Sequence, residues 1–188
     1  DISSLQVDPV ILTEIPQPNK DVFKLIQFSP SVTTSDPMSP QYYVRGSDPG
    51  ENLVQMDGMT IYNPQHFMGS SAIFNPYSIK DVEMLVGGFD AEYGGRNASI
   101  MNISTREGHQ SEIHGEFRPA ISGISGAIEF PAGKNGTAMV SGRTYTDFML
   151  RVMMGSPNLV MDYNAAYQVL LGKTRLRFSG FFARDYMD

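Results

Sequence analysis

The chain contains no cysteine among its 188 residues, which excludes thiolate metal sites, cysteine nucleophiles and a disulfide framework. Charge is scarce. Asp, Glu, Lys and Arg make up 18%, the formal net charge is −6, and no basic run is present. Nothing here neutralises a phosphate backbone, so nucleic acid is not expected as a partner. No stretch approaches the ~20 apolar residues of a membrane helix, so any passage through a bilayer would have to use strands. The motifs G-x-S-x-G, H-E-x-x-H and Gly-Lys-Ser/Thr are missing, and no enzyme or cofactor is expected. Three histidines, His66, His109 and His114, are not at ligand spacing, which argues against a metal site. The opening DISSLQVD has neither a basic start nor an apolar stretch. The expectation is therefore that the original N-terminus has been removed.

What is present is 41% hydrophobic residues with 18 Gly and 12 Pro. That is too apolar for a disordered chain and too broken for a helical bundle. The style changes near residue 110. Before it, elements are short and mixed. Asn19 can cap a helix over 20–28, where Val22, Leu25 and Ile26 share a face and Pro30 stops it. Residues 29–41 form a polar loop, and residues 42–45 read as a strand. Asn52–Met56 and Met59–Tyr62 make a hairpin across the turn signal Asp57-Gly58. Asn75-Pro76 starts a short helix, and strands follow over 82–86 and 100–105. A small α+β domain over residues 1–110 results.

From 111 onward the strands lengthen and alternate. Leu176, Phe178, Gly180 and Phe182 fall opposite Arg175, Arg177 and Ser179, and Ile113 and Phe117 fall opposite Glu112, His114, Glu116 and Arg118. Strands are expected near 111–118, 121–130, 137–146, 161–171 and 174–185. Alternation alone fits an antiparallel sheet with one wet face as well as a membrane barrel. Connection lengths favour the barrel. Residues 131–136 and Gly172-Lys173 are short turns, with a long connection over 146–162 between them. Short periplasmic turns and long outer loops have that rhythm. Five strands cannot close a barrel, because open edges are not tolerated in lipid. Residues 111–188 are therefore expected to be the start of an incomplete transmembrane β-barrel, a fragment or a sheet completed elsewhere.

The stretch VGGFDAEYGGR, residues 86–96, lacks dinucleotide-loop spacing and leads into strand-forming residues, so its glycines read as tight-turn residues. An ordered set now stands out: Tyr43-Val44-Arg45-Gly46, Asn52-Leu53-Val54 with Asp57-Gly58, Asn75-Pro76 and Ile79 before Val82-Glu83, Gly87-Gly88, Tyr93-Gly94-Gly95-Arg96 and Ile103-Ser104-Thr105-Arg106. It resembles the plug domain of TonB-dependent outer-membrane receptors, in a form like that of Bacteroidetes, over about residues 10–108. The later strands, including SGFFARDYMD, are similar to the start of that family's barrel.

The resemblance implies an α+β plug domain followed by antiparallel strands of a 22-stranded barrel with a plugged lumen. It implies energised uptake of a ligand across the outer membrane of a Gram-negative bacterium. The implied partners are outer-membrane lipid and a TonB-type energy-coupling protein, bound through a segment not seen here. A non-transporting receptor-like scaffold of an envelope complex, carrying a surface lipoprotein or another subunit, is the alternative. By the same resemblance Arg45, Glu83 and Arg96 dock the plug against the barrel wall; the bland reading is that they are solvated. Tyr62, Asn63, His66, Phe67, Asn75 and Tyr77 lie on loops that meet the ligand, or else pack the plug. Gly46, Asp57, Gly58, Gly94 and Gly95 are structural turn residues.

Overall fold

A computed structural model describes residues 3–7, 21–27, 29–34, 41–90 and 92–187. They fall into two compact units that divide between Ser104 and Thr105, where the sequence places the change at residue 110. The physical reason is that Thr105, Arg106 and Glu107 bond to strands of the second unit.

The first unit is a five-stranded mixed sheet in the order β1-β6-β7-β4-β5. Its strands are β1 (Ser3–Val7), β4 (Asn52–Met56), β5 (Met59–Thr60), β6 (Ile79–Val86) and β7 (Ser99–Thr105). β4 runs parallel to β7, whereas β1 is antiparallel to β6 and β5 to β4. β4 and β7 are mostly buried, and Met56, Ile100, Met101 and Ile103 fill the core. Ser99 donates to Asn52 Oδ1 at 2.7 Å, and Asn52 Nδ2 donates to the Tyr42 carbonyl at 3.2 Å, so the buried Asn52 amide is satisfied at both its oxygen and its nitrogen. Burial also pushes the Tyr42 hydroxyl above the usual phenol range.

The hairpin turn forms as Asp57-Gly58 suggests. Asp57 has φ 49° and Gly58 φ 80°, the left-handed pair of a type I′ turn. β5 ends at Thr60 rather than Tyr62, although Ile61 N still donates to the Val54 carbonyl. The 29–41 loop contains Val32–Thr33 (β2), which pairs with Tyr43–Val44 (β3). Local propensity gave no sign of so short a bridge.

The helix α1 spans Val22–Ile26. Its cap is Asp21, not Asn19, which lies outside the described residues. Asp21 Oδ1 accepts from Phe23 N at 2.7 Å, and Oδ2 accepts from Ala72 N, also at 2.7 Å. One buried carboxylate thus caps the helix and fixes a loop 51 residues away. Phe23 packs edge-on against Phe74 and tilted against Tyr42.

The second unit is an antiparallel meander in the order β12-β11-β10-β9-β8: β8 (His114–Ala120), β9 (Gly123–Pro131), β10 (Gly136–Tyr145), β11 (Asn158–Leu171) and β12 (Thr174–Met187). β8 begins three residues later than the expected 111 and runs on through Pro119 and Ala120 to the turn that joins it to β9. The long connection differs from expectation, because it holds a helix, α2 (Phe148–Met154). Asp147 accepts from Leu150 N at 3.0 Å, and Gly155 closes the helix at φ 69°. Asn158 Oδ1 accepts from Asp147 N, and Asn158 Nδ2 donates to the Asp147 carbonyl, so both ends of the loop are pinned.

Replacing Asp21 with Ala removes the carboxylate oxygens that accept from Phe23 N and Ala72 N. A loss of about 2–4 kcal/mol is expected. Hydrogen exchange of the solubilised protein should accelerate over residues 22–26 and at Ala72. Unchanged protection would mean that the carboxylate carries no stability.

Candidate functional site

Register turns the meander into two chemically opposite faces. Phe117, Gly126, Gly142, Tyr163 and Phe182 form one continuous cross-strand row. Leu176 and Phe178 point the same way as Phe182 along β12, and successive residues alternate faces. Among the described residues of β8–β12, Arg184 is the one charged side chain on this face. The opposite face carries Glu116, Arg118, Glu129, Arg143, Asp162, Arg175 and Arg177. A one-residue slip would exchange the two sets.

The polar face holds the segment that enters the sheet. Arg177 Nη2 donates to the Thr105 carbonyl at 3.0 Å and to its hydroxyl. Arg106 meets Glu129 at 3.2 Å. Glu107 accepts from Gln168 Nε2 at 3.2 Å, and Arg175 stands 3.9 Å from the same carboxylate. The Thr137 hydroxyl donates to the Glu107 carbonyl. Gly108 then passes so close to β10 that a Cβ there would lie 2.5 Å from the Ala138 carbonyl oxygen. Only glycine fits.

Further along this face Arg143 Nε donates to Asp162 Oδ2 at 2.7 Å, with side-chain exposures of 8% and 1%. The guanidinium also lies 5.2 Å from the Tyr145 ring centroid. Sequence reading missed this pair. The two residues are cross-strand partners, and only a known register joins positions 19 residues apart. Alternation assigns both residues to one face, but the long connection between β10 and β11 leaves their register open in sequence.

In the first unit, Arg45 and Gly46 occupy the left-handed corner of a turn closed by Ser47 N to the Val44 carbonyl, with φ 50° and 80°. The Arg45 guanidinium covers Gly87, where a Cβ would lie 2.6 Å from Nη1. Gly87 and Gly88 have φ 72° and 67°, so the first Gly-Gly pair turns the chain at the end of β6. Gly95 has φ 86° in the second pair, beside Gly94. Glu83 is half-buried on β6, and Arg96 is half-buried with its guanidinium near the Gly95 carbonyl. Among the described residues Arg45, Glu83 and Arg96 make no ion pair with one another. Arg96 instead borders a polar cleft of about 190 Å³ with Gln41, Tyr42, Asn52, Tyr62 and Gln65.

Of the loop residues, Tyr62, Asn63 and Phe67 lie at the surface, and Tyr62 is 86% exposed. His66, Asn75 and Tyr77 are buried instead. Asn75 Oδ1 caps the 3-10 turn Pro76–Ser78 by accepting from Tyr77 N. His66 N donates to the Ser71 carbonyl. The Asn75 side chain thus serves the loop itself. His109 and His114, unrelated by spacing, bring their rings to 4.1 Å between centroids. His109 Nδ1 accepts from the Ser111 and Glu112 amides. Among the described residues no group of three or more ligating side chains is arranged to hold a metal ion.

The TonB-dependent Receptor Plug Domain family matches residues 14–99. No curated protein is significantly similar in sequence. Among solved structures, the siderophore receptor PirA from Pseudomonas aeruginosa is 16% identical with a TM-score of 0.74, over 98% of this chain and 34% of that one. A mutant of the ferric enterobactin receptor PfeA from the same organism, in complex with enterobactin, is 17% identical with a TM-score of 0.72. That match covers 100% of this chain and 34% of that one. PfeA in complex with BCV-L6 is 16% identical with a TM-score of 0.70, over 98% and 33%. The chain thus spans about a third of the length of these receptors. At such identities the likeness speaks for the fold.

The Arg143–Asp162 pair gives a direct test. Arg143→Met leaves a buried carboxylate without its cation and should cost about 3–5 kcal/mol, while Arg143→Met with Asp162→Leu should recover most of that. Urea unfolding of the bilayer-reconstituted protein measures both. Equal stability of the single variant and the parent would remove the pair from the account.

Proposed function

We propose that the chain carries the plug domain of a TonB-dependent receptor followed by the first strands of a barrel, and that it takes part in energised uptake of a ligand across the outer membrane of a Gram-negative bacterium. One observation carries the reading. A plug-family domain runs directly into a sheet with an almost uncharged face and a charged face. An Arg on the hydrocarbon side costs roughly 2–4 kcal/mol at mid-bilayer. The apolar row through Tyr163 and Phe182 therefore faces lipid, and Arg143, Arg175 and Arg177 face the lumen. The turns at residues 132–135 and 172–173 lie on the periplasmic side, and α2 lies outside the cell.

A wide barrel without a plug is a leak. The plug closes it until a TonB-type protein, energised from the inner membrane, pulls on it. Arg45, Glu83 and Arg96 dock the plug. Buried pairs of this kind specify position more than they stabilise. Tyr62, Asn63 and Phe67 are the ligand-facing residues, because they offer a stacking face and amide groups at the surface. His66, Asn75 and Tyr77 support the loop from inside. This chemistry suits a glycan, a peptide or a metal chelate alike. The ligands named for PirA and PfeA are theirs, and similarity at 16–17% identity carries the fold across without the ligand. The relatives are receptors rather than enzymes. No observation favours the scaffold reading or a surface lipoprotein partner.

The lack of native cysteine makes the topology directly measurable. An impermeant thiol reagent applied to intact cells should modify a cysteine introduced at Ser156 and spare one at Lys173. Labelling in the reverse order would invert the strands and take the assignment with it.

Docking has a separate readout. Arg45→Ala with Arg96→Ala in the complete receptor should raise ion leak across planar bilayers, because each wall carboxylate loses its cation. Conductance and plug proteolysis equal to those of the parent would refute the docking role.

A further inference from the structure

The four residues at the head of the second unit, Thr105 to Gly108, are gripped by four different strands. Arg177 on β12 donates from Nη2 to the Thr105 carbonyl at 3.0 Å and to the Thr105 hydroxyl. The same nitrogen lies 3.4 Å from the Arg106 carbonyl. Arg106 itself reaches Glu129 on β9 at 3.2 Å. The Glu107 carboxylate accepts from Gln168 on β11, and the Glu107 carbonyl accepts from the Thr137 hydroxyl on β10. Gly108, at φ 85°, lies so flat on β10 that a Cβ would stand 2.7 Å from Ala138 N. Main chain and side chains are fixed together.

The residues that follow are organised differently. His109 Nδ1 accepts from the Ser111 amide at 3.4 Å and from the Glu112 amide at 3.1 Å. Glu112 pairs with His114 at 3.4 Å, and residues 111–114 are exposed. These contacts fold the loop onto itself, and β8 begins only at His114. A short reserve of chain thus lies between the gripped stretch and the first paired residue of the sheet.

That order decides where a pull is resisted. Tension applied from the N-terminal side passes through Ser104 and meets Thr105 before it meets β8. At Thr105–Gly108 it acts on bonds to β9, β10, β11 and β12 together, whereas the loop contacts would open in turn. Survival under force is set by the rate of escape over the barrier, and bonds that share a load raise that barrier jointly. The guanidinium adds a safeguard, because its planar fork keeps several donors aimed at once.

We propose that Thr105–Gly108 is a mechanical stop, which sets the last residue that a pull on the preceding domain extends and keeps that pull off β8. Arg177, Thr137 and Gly108 are its positioning residues. The inference rests on the uptake reading above, in which a TonB-type protein draws on the plug, and adds the point at which the drawing ends. That point is Ser104. Without the stop, extension would run on through the nine residues from Thr105 to Ile113. The added length is ~30 Å at ~3.3–3.6 Å per residue.

Single-molecule force spectroscopy of the complete receptor in a lipid bilayer, drawn from its N-terminus, tests the stop. The parent should extend in steps as far as Ser104 and then hold before any barrel strand is extracted. Arg177→Met should lengthen the extension by ~30 Å. It should also shorten the final hold about tenfold or more, as expected when a hydrogen bond to a charged group is lost. Thr137→Val, which removes one hydroxyl and little volume, should shorten the hold by less, and it carries the test alone if Arg177→Met does not assemble. Heat-dependent electrophoretic mobility reports assembly of each variant. His109→Ala opens the loop without touching the stop and should leave the end point at Ser104. An end point near residue 113 in the parent, or an assembled Arg177→Met variant with the parent's trace, would overturn the stop alone. A parent trace in which no extension precedes the barrel strands would overturn the uptake reading and the stop together.

Discussion

Buried backbone amides must find partners, so the strands of β8–β12 pair in one ladder, and side-chain period two then assigns each residue to one face of the sheet or the other. The long β11–β12 ladder, from Asn158↔Met187 to Leu171↔Thr174, meets that demand without a bulge. Once the ladder is fixed, Arg175 and Arg177 have nowhere to go but the polar face. There they find the Thr105 carbonyl and the Glu107 carboxylate. The sheet's chemistry follows from its hydrogen bonds rather than from any one residue.

The first unit obeys a different rule. Its sheet is small and mixed, and short loops carry much of its definition. Asp21 ties α1 to Ala72, and Asn52 ties β4 to Ser99 and Tyr42. These buried polar contacts set loop geometry, which in turn leaves Tyr62, Asn63 and Phe67 at the surface and withdraws His66, Asn75 and Tyr77. The second unit is defined by strand register, and the first by loops held by a few buried acceptors.

What could be read from sequence divides along the same line. The Asp57-Gly58 hairpin and the β11–β12 pair were legible because turn chemistry and alternation act over a few residues. The five strands were legible in number, although Asn158 begins β11 three residues before the expected start, since α2 and its Asp147–Asn158 bridge compact the loop. Contacts distant in sequence were not legible. Nothing in the neighbourhood of Asp21 announces Ala72, and Arg143 and Asp162 look like two scattered charges until register joins them. Asn75 and Tyr77 misled for a related reason. A polar or aromatic residue in a loop suggests surface, yet Asn75 is consumed by a cap and Tyr77 by the core.

The segment Thr105–Gly108 also imposes an order of events. Each strand of the meander meets its neighbour through a nearby turn, so those pairings close early and locally. The bonds of Thr105 reach Arg177, 72 residues downstream, and those of Glu107 reach both β11 and β12. Until β12 has joined the sheet, Arg177 is missing from Thr105 and Arg175 from Glu107. The last strand of the unit is thus tied back to its first residues, and these contacts exist only when all five strands are in place.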